Sequence, residues 1–266
     1  MKIREVLSAL ERFAPLPLQE DYDNAGLQVG LTEAEVSRVL LCLDVTETVV
    51  DEALRRGCNL IVGHHPLIFR RLSCVSDCDY VQRTVYKAVR AGICIAAMHT
   101  NLDNVEGGVN FKIAEKLRLD DVQLLGEQHS YTSAQSDYIF GSGVVGQLPT
   151  AMAAVDFIQL LKQTFDVKCV QANQLLNRRI RKVALCGGAG SFLLHQAVAV
   201  GADAFITGEM GYHEFFGHEQ ELQICVIGHY QSEQYTPELL AEILDKSCPG
   251  LTTLIAETHT NPIIYI

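Results

Sequence analysis

An α/β fold is predicted: two related three-layer α/β/α lobes with mostly parallel sheets. Three observations lead there. A strand–helix–strand unit occurs twice, the strands read as continuous apolar runs, and four strands end in histidine or carboxylate residues. Continuous apolar strands joined by short helices are the mark of βαβ crossovers and parallel sheets.

The N-terminus predicts a helix, because Ile3, Leu7 and Leu10 recur at helical spacing. Lys2, Arg4, Glu5, Glu11 and Arg12 interrupt the apolar stretch that a signal peptide would need. Residues 38–44 read as a buried strand, 47–56 as a helix and, after Gly57, 58–62 as a second strand. The same pattern returns as a strand at 182–186, a helix at 192–200 and, after Gly201, a strand at 202–206. In both units the helix-ending glycine lies 18 residues after the first valine, from Val39 to Gly57 and from Val183 to Gly201. Between them, 137–148 is glycine-punctuated and β-like, and Thr150 is placed to cap a helix running to Leu161. The tail at 261–266 reads as a last strand. No low-complexity linker divides the chain. Residues 1–125 with 234–266 are expected to form the first lobe and 126–233 the second.

Composition excludes several classes of function. Of the 266 residues, 48% are hydrophobic and 20% charged, as in an ordinary globular protein. A net charge of −11 argues against nucleic acid and against anionic lipid as partners, since both reward Lys and Arg. No stretch approaches the length of an apolar membrane span. Nine cysteines are scattered, several inside apolar strands, where a reduced thiol packs as a small hydrophobe. Cys74 and Cys78 lack the second pair a zinc knuckle needs. The chain therefore reads as cytoplasmic.

The residues just past the strands carry the chemistry. Gly63-His64-His65-Pro66 ends one strand, His99-Thr100-Asn101-Leu102-Asp103 the next, Thr207-Gly208-Glu209 a third, and Gly228-His229 with Glu233 a fourth. Open α/β sheets place ligand sites at these C-terminal strand ends. On a regular strand His64 and His65 would diverge, but a strand end between Gly63 and Pro66 lets both approach one pocket, a geometry suited to two metals. His229 and Glu233, four apart, share a helical face. Imidazole with carboxylate suits zinc, iron, manganese or nickel better than calcium. His99, Glu209 and His213 are candidates to orient ligands or move protons. The loop of Gly187, Gly188, Gly190 and Ser191 opens a helix and could hold a phosphate, or could be only a tight βα turn.

At these residues the chain resembles the NGG-one-interacting-factor-three-like family, also known as GTP cyclohydrolase I type 2 homologues. The resemblance runs almost the full length. Beyond the motifs above, it includes Asp23-Asn24-Ala25-Gly26-Leu27-Gln28-Val29-Gly30, Gly187-Gly188-Ala189-Gly190-Ser191, Tyr212-His213 and Tyr230. It implies a dinuclear divalent-metal site on His64, His65, Asp103, His229 and Glu233, in the cleft between the two lobes, and a ring-shaped homohexamer. Some relatives carry an extra domain between the halves, for which this chain has no room. Two residues depart from the family pattern: Tyr22 stands where Trp is usual, and Glu209 where Asp is usual.

The expected activity is metal-dependent hydrolysis of a small phosphorylated or nucleotide-like substrate, of which the GTP ring opening in the family name is one case. In it, two divalent ions (zinc, iron or manganese) act with Glu233 as bridging ligand, His99 or His213 transfers protons, and the glycine loop holds substrate phosphate. The rival is a non-catalytic metal-binding, metal-delivery or partner-binding protein with the same ligands.

Overall fold

The computed structural model describes all residues except Gln135 and Tyr265. The chain forms two compact units, Met1–Leu102 with Thr236–Pro262, and Asp103–Tyr235 with Ile263–Ile266.

In chain order the first unit begins with α1 (Ile3–Phe13), β1 (Gly26–Val29), β2 (Val39–Cys42), α2 (Glu47–Arg55), β3 (Leu60–Gly63), α3 (Tyr80–Ala91) and β4 (Cys94–Ala97). A short helix, α4 (Thr100–Asn104), leads into the second unit. Next come α5 (Val109–Lys116), β5 (Asp120–Leu124), β6 (His129–Thr132), β7 (Asp137–Phe140), β8 (Val144–Met152), α6 (Ala154–Phe165), β9 (Gln171–Ala172), β10 (Ile180–Cys186), α7 (Leu194–Ala199), β11 (Ala204–Thr207), β12 (Gln223–Val226) and α8 (His229–Glu233). Two elements then return to the first unit, α9 (Thr236–Ser247) and β13 (Thr253–Ile255).

The first sheet runs β1-β4-β3-β2-β13, parallel throughout except for antiparallel β1 at the edge. Every residue of β2, β3 and β4 is buried, which is why these strands read as unbroken apolar runs. Leu40, Cys42, Ile61 and Ile95 pack against Val49, Val50 and Ala53 of α2 and Val85 and Ala88 of α3. α9 lies on β2 and β13, with α1 packed on α9, so helices form two layers around the sheet. Burying one such Leu or Ile stabilises the fold by about 1.5–3 kcal/mol. The helices start where the chain offers oxygen caps: Thr46 accepts from Val49 N, and Asp79 from Gln82 N. In α1, Ile3, Leu7 and Leu10 are buried, as their spacing predicts.

The second sheet runs β5-β8-β10-β11-β12-β9. Only its centre, β10-β11-β12, is parallel; the pairs made by β5, β8 and β9 are antiparallel, so "mostly parallel" holds for the first sheet and not for the second. Leu194 and Ala197 of α7 pack with Phe205 and Ile224 on one face. The alternate residues Val183, Leu185, Ile206 and Cys225 are buried as well, so both faces are covered. β6 and β7 form a separate antiparallel hairpin.

Four expectations change. Residues 103–125, assigned by sequence to the first lobe, fall in the second unit, because β5 is the edge strand of its sheet and α5 packs on β8 and β10. Thr150 caps no helix: β8 runs through it, and α6 starts at Ala154. The helix at 192–200 is a 3-10 turn at Ser191–Leu193 followed by α7. The tail at 261–266 is no strand in its described residues, Tyr265 lying outside them; the last strand is β13, paired with β2. Among the described residues, no helix is long and apolar enough to cross a membrane.

Candidate metal centre

In the first unit, parallel pairing aligns Cys42, Gly63 and Ala97 across β2, β3 and β4. Counting on from that row, Asp44, His65 and His99 leave three adjacent strands at the same level, with His64 and Met98 one step behind. The register alone therefore gathers them at the C-terminal edge of the sheet. His64, His65 and His99 each bring a ring nitrogen within 4.8 Å of the others, and their ring centroids lie 4.9, 5.3 and 5.4 Å apart.

Each ring is held the same way. His64 Nδ1 donates to the Met98 carbonyl at 2.8 Å, His65 Nδ1 to Asp44 Oδ1 at 2.7 Å, and His99 Nδ1 to Asp23 Oδ1 at 2.7 Å. A carbonyl or carboxylate oxygen accepts only, so Nδ1 carries the proton and the neutral ring offers Nε2 as its lone-pair nitrogen. That is the form in which imidazole ligates a metal, and an oxygen partner on the far nitrogen is what fixes such ligands.

The anchoring carboxylates are ionised. Burial alone would raise the Asp23 carboxyl, but hydrogen bonds from His99, Thr100 and Asn24, with added attraction whenever the His99 ring is protonated, bring it down to about 2. Thr100 donates to Asp23 Oδ2 through both its backbone N and its hydroxyl. Asp44 is likewise lowered; burial opposes, while His65, Thr260 and His64 outweigh it.

The second unit repeats the device. β10, β11 and β12 align Cys186, Thr207 and Val226, and just beyond them come Gly188, Glu209 and His229. His229 Nδ1 donates to Glu209 Oε1 at 2.9 Å, and His229 Nε2 lies 3.1 Å from Glu233 Oε2. Two ligand atoms each about 2.1 Å from one ion, at right angles, would be about 3 Å apart. The Glu233 side chain is only 4% exposed. Asp103 is half-buried on α4, and its backbone carbonyl accepts from Asn110 Nδ2.

A family model described as Duf34/NIF3 (NGG1p interacting factor 3) matches residues 1–262. The chain belongs to this family. Among its Duf34/NIF3 relatives, a Clostridium perfringens protein named GTP cyclohydrolase 1 type 2 homolog is 34% identical over 234 residues, covering 88% of this chain and 87% of the relative. One of the same name from Lactococcus lactis is 32% identical over 273 residues and covers both chains in full. A Halalkalibacterium halodurans relative aligns over 366 positions to this 266-residue chain, so it carries inserted sequence that is missing here. Among solved structures, a Staphylococcus aureus protein superposes with a TM-score of 0.90 at 27% identity over 100% of this chain and 99% of that one. A Bacillus cereus protein described as related to NIF3 gives 0.87 at 25% identity over the same shares.

Other expected site residues of this Duf34/NIF3 chain fare differently. In the Gly187–Ser191 loop three of the five amides are engaged within the fold: Gly187 N donates to Asn110 Oδ1, Gly188 N to Ser232 Oγ and Gly190 N to Thr207 Oγ1. The Glu233 carboxylate also lies against Gly188, which sets a negative charge beside the loop. His213 is exposed, packed against the rings of Tyr212 and Phe216, and no described contact joins it to His229 or Glu233. Glu209 does orient His229. Sequence reasoning alone does not single out the anchors Asp23 and Asp44 as histidine partners. All nine cysteines are free and six are buried. Burial pushes the Cys225 thiol up to about 12, in keeping with thiols that only pack.

Proposed function

We propose that this chain is a divalent-metal protein whose ions serve hydrolysis of a small phosphorylated or nucleotide-like substrate. The observation that carries the metal reading is the anchoring of four imidazoles, His64, His65, His99 and His229, each through Nδ1 on an oxygen acceptor. A histidine packed for stability alone has no need of this common orientation; a ligand does. The donor set, imidazole with carboxylate, fits zinc, iron or manganese. The residues that would hold the ions are His64, His65, Asp103, His229 and Glu233.

When bound, such ions make water acidic near neutral pH and polarise the scissile group. The chain's own part is orientation. Asp44 and the Met98 carbonyl hold the His65 and His64 rings, Glu209 holds His229, and the oxygen partners keep each ring in its ligating tautomer. The name GTP cyclohydrolase 1 type 2 homolog, borne by relatives, makes nucleotide ring opening the first reaction to try. We also place the protein in the cytoplasm, as a homohexamer.

One observation favours a second reading, a metal-binding or metal-delivery protein without turnover. Three of the five loop amides, those of Gly187, Gly188 and Gly190, are already bonded within the fold, and the His213 ring packs on Tyr212 and Phe216, which weakens the case for both as catalytic parts. The test is protein purified without chelators, reconstituted separately with zinc, iron(II) and manganese, and assayed on nucleoside triphosphates and phosphomonoesters. Product formation that disappears in H64A and H65A supports the hydrolase. Stoichiometric metal with no turnover under any ion supports the carrier, and absence of bound metal overturns both.

A further inference from the structure

We infer that His64, His65 and His99 form a three-imidazole site within the first unit that holds one divalent ion without help from Asp103, His229 or Glu233. The inference rests on the proposed metal binding and adds to it a ligand, His99, that lies outside the five-residue set and was expected to carry protons.

The geometry distinguishes the two roles. A proton carrier stands beside the ligands, whereas His99 is within the cluster: its ring nitrogen, with those of His64 and His65, falls inside one 4.8 Å span. Three nitrogens about 2.1 Å from a common ion in tetrahedral geometry lie about 3.4 Å apart, so modest side-chain movement closes the site. All three Nδ1 atoms are bonded to oxygen, so three Nε2 lone pairs are brought together.

Asp23 and Asp44 are then positioning residues. They come from separate segments, and each spends a buried or half-buried carboxylate on one ring. Two such anions close behind neutral imidazoles strengthen them as donors and partly offset the charge of the ion. An all-imidazole set selects zinc, iron(II), cobalt(II) or nickel(II) over magnesium or calcium.

The test uses the full-length chain carrying D103A, H229A and E233A together, titrated with cobalt(II) alone. Retention of about one equivalent is expected, with a ligand-field band and X-ray absorption showing imidazole as the only protein ligand; adding H99A should reduce binding at least tenfold. H99Q in the otherwise unchanged chain gives a second measure, since X-ray absorption should lose one imidazole per bound ion. Circular dichroism checks that each variant is folded, and if the triple variant is not, the H99Q measurement decides alone. A folded triple variant that binds no cobalt while the unchanged chain does overturns the inference and leaves the five-residue site standing. So does an unchanged imidazole count in H99Q. If the unchanged chain binds no metal, the proposed function falls with it.

Discussion

The Nδ1 atom of His99 lies 2.7 Å from Oδ1 of Asp23, a residue 76 positions earlier whose carboxylate has no exposed surface. D23N removes the charge and allows an N–H to face the ring, so His99 loses its fixed tautomer. The expected result is about 10–100-fold weaker metal binding. Competition against a chromophoric chelator measures it, and binding equal to that of the unchanged chain would show that the pair does not orient a ligand.

Glu209 should matter less and tolerate shortening. Its side chain is 57% exposed, and it holds His229 from the solvent side. E209D, which restores the residue usual in the family, should keep metal affinity within about threefold, while E209A should lose about tenfold. The same competition assay ranks them. Equal loss in both variants would mean that reach, not charge, sets the contact.

Gly188 has φ +59°, and a Cβ there would overlap Oε1 of Glu233. G188A therefore incurs backbone strain and displaces the Glu233 carboxylate. Thermal unfolding should show a loss of about 1–3 kcal/mol, with metal affinity falling alongside. A variant of unchanged stability would show that the loop can give way.

Glu52 supplies the pH dependence. It is buried, and it accepts from Glu257 N at 2.8 Å, Thr258 N at 2.9 Å, Thr258 Oγ1 at 2.6 Å and Arg56 Nη1 at 2.6 Å. Burial would raise its carboxyl, but these four bonds bring it down from 4.5 to about 2. A depressed carboxyl stabilises the fold above its unfolded value, and that contribution fades as pH falls from about 4.5 through 2. The contribution is on the order of 3 kcal/mol. Urea unfolding at pH 6 and pH 3 should show the loss in the unchanged chain and much less of it in E52Q, which starts lower. Parallel pH profiles for the two would remove Glu52 as the cause.

Much of the site was legible because chemistry sits at strand ends. The runs before His64, His99, Glu209 and His229 mark buried parallel strands, and sheet register does the rest. The Asp44–His65 pair follows only once the register is known, each standing two residues past a paired position, Cys42 and Gly63. Asp23 is not legible even then: its segment precedes an antiparallel edge strand, and no spacing links it to His99. The loop is ambiguous in sequence for another reason. Glycines announce exposed amides, but the acceptors that engage them, on Asn110, Ser232 and Thr207, are distant in sequence. The tail resembled a strand by composition, yet β2 had already taken β13 as its neighbour.

That neighbour arrives late. β2 is made near the start of synthesis, but β13 and the helix α9 that covers both come some 200 residues later. Chains fold as they emerge, so the second unit, nearly continuous in sequence, can condense while the first still shows an unpaired apolar edge at Val39 and Leu41. A ribosome stalled before Thr236 would thus carry a nascent chain with one finished unit and one sticky one, a natural client for a chaperone.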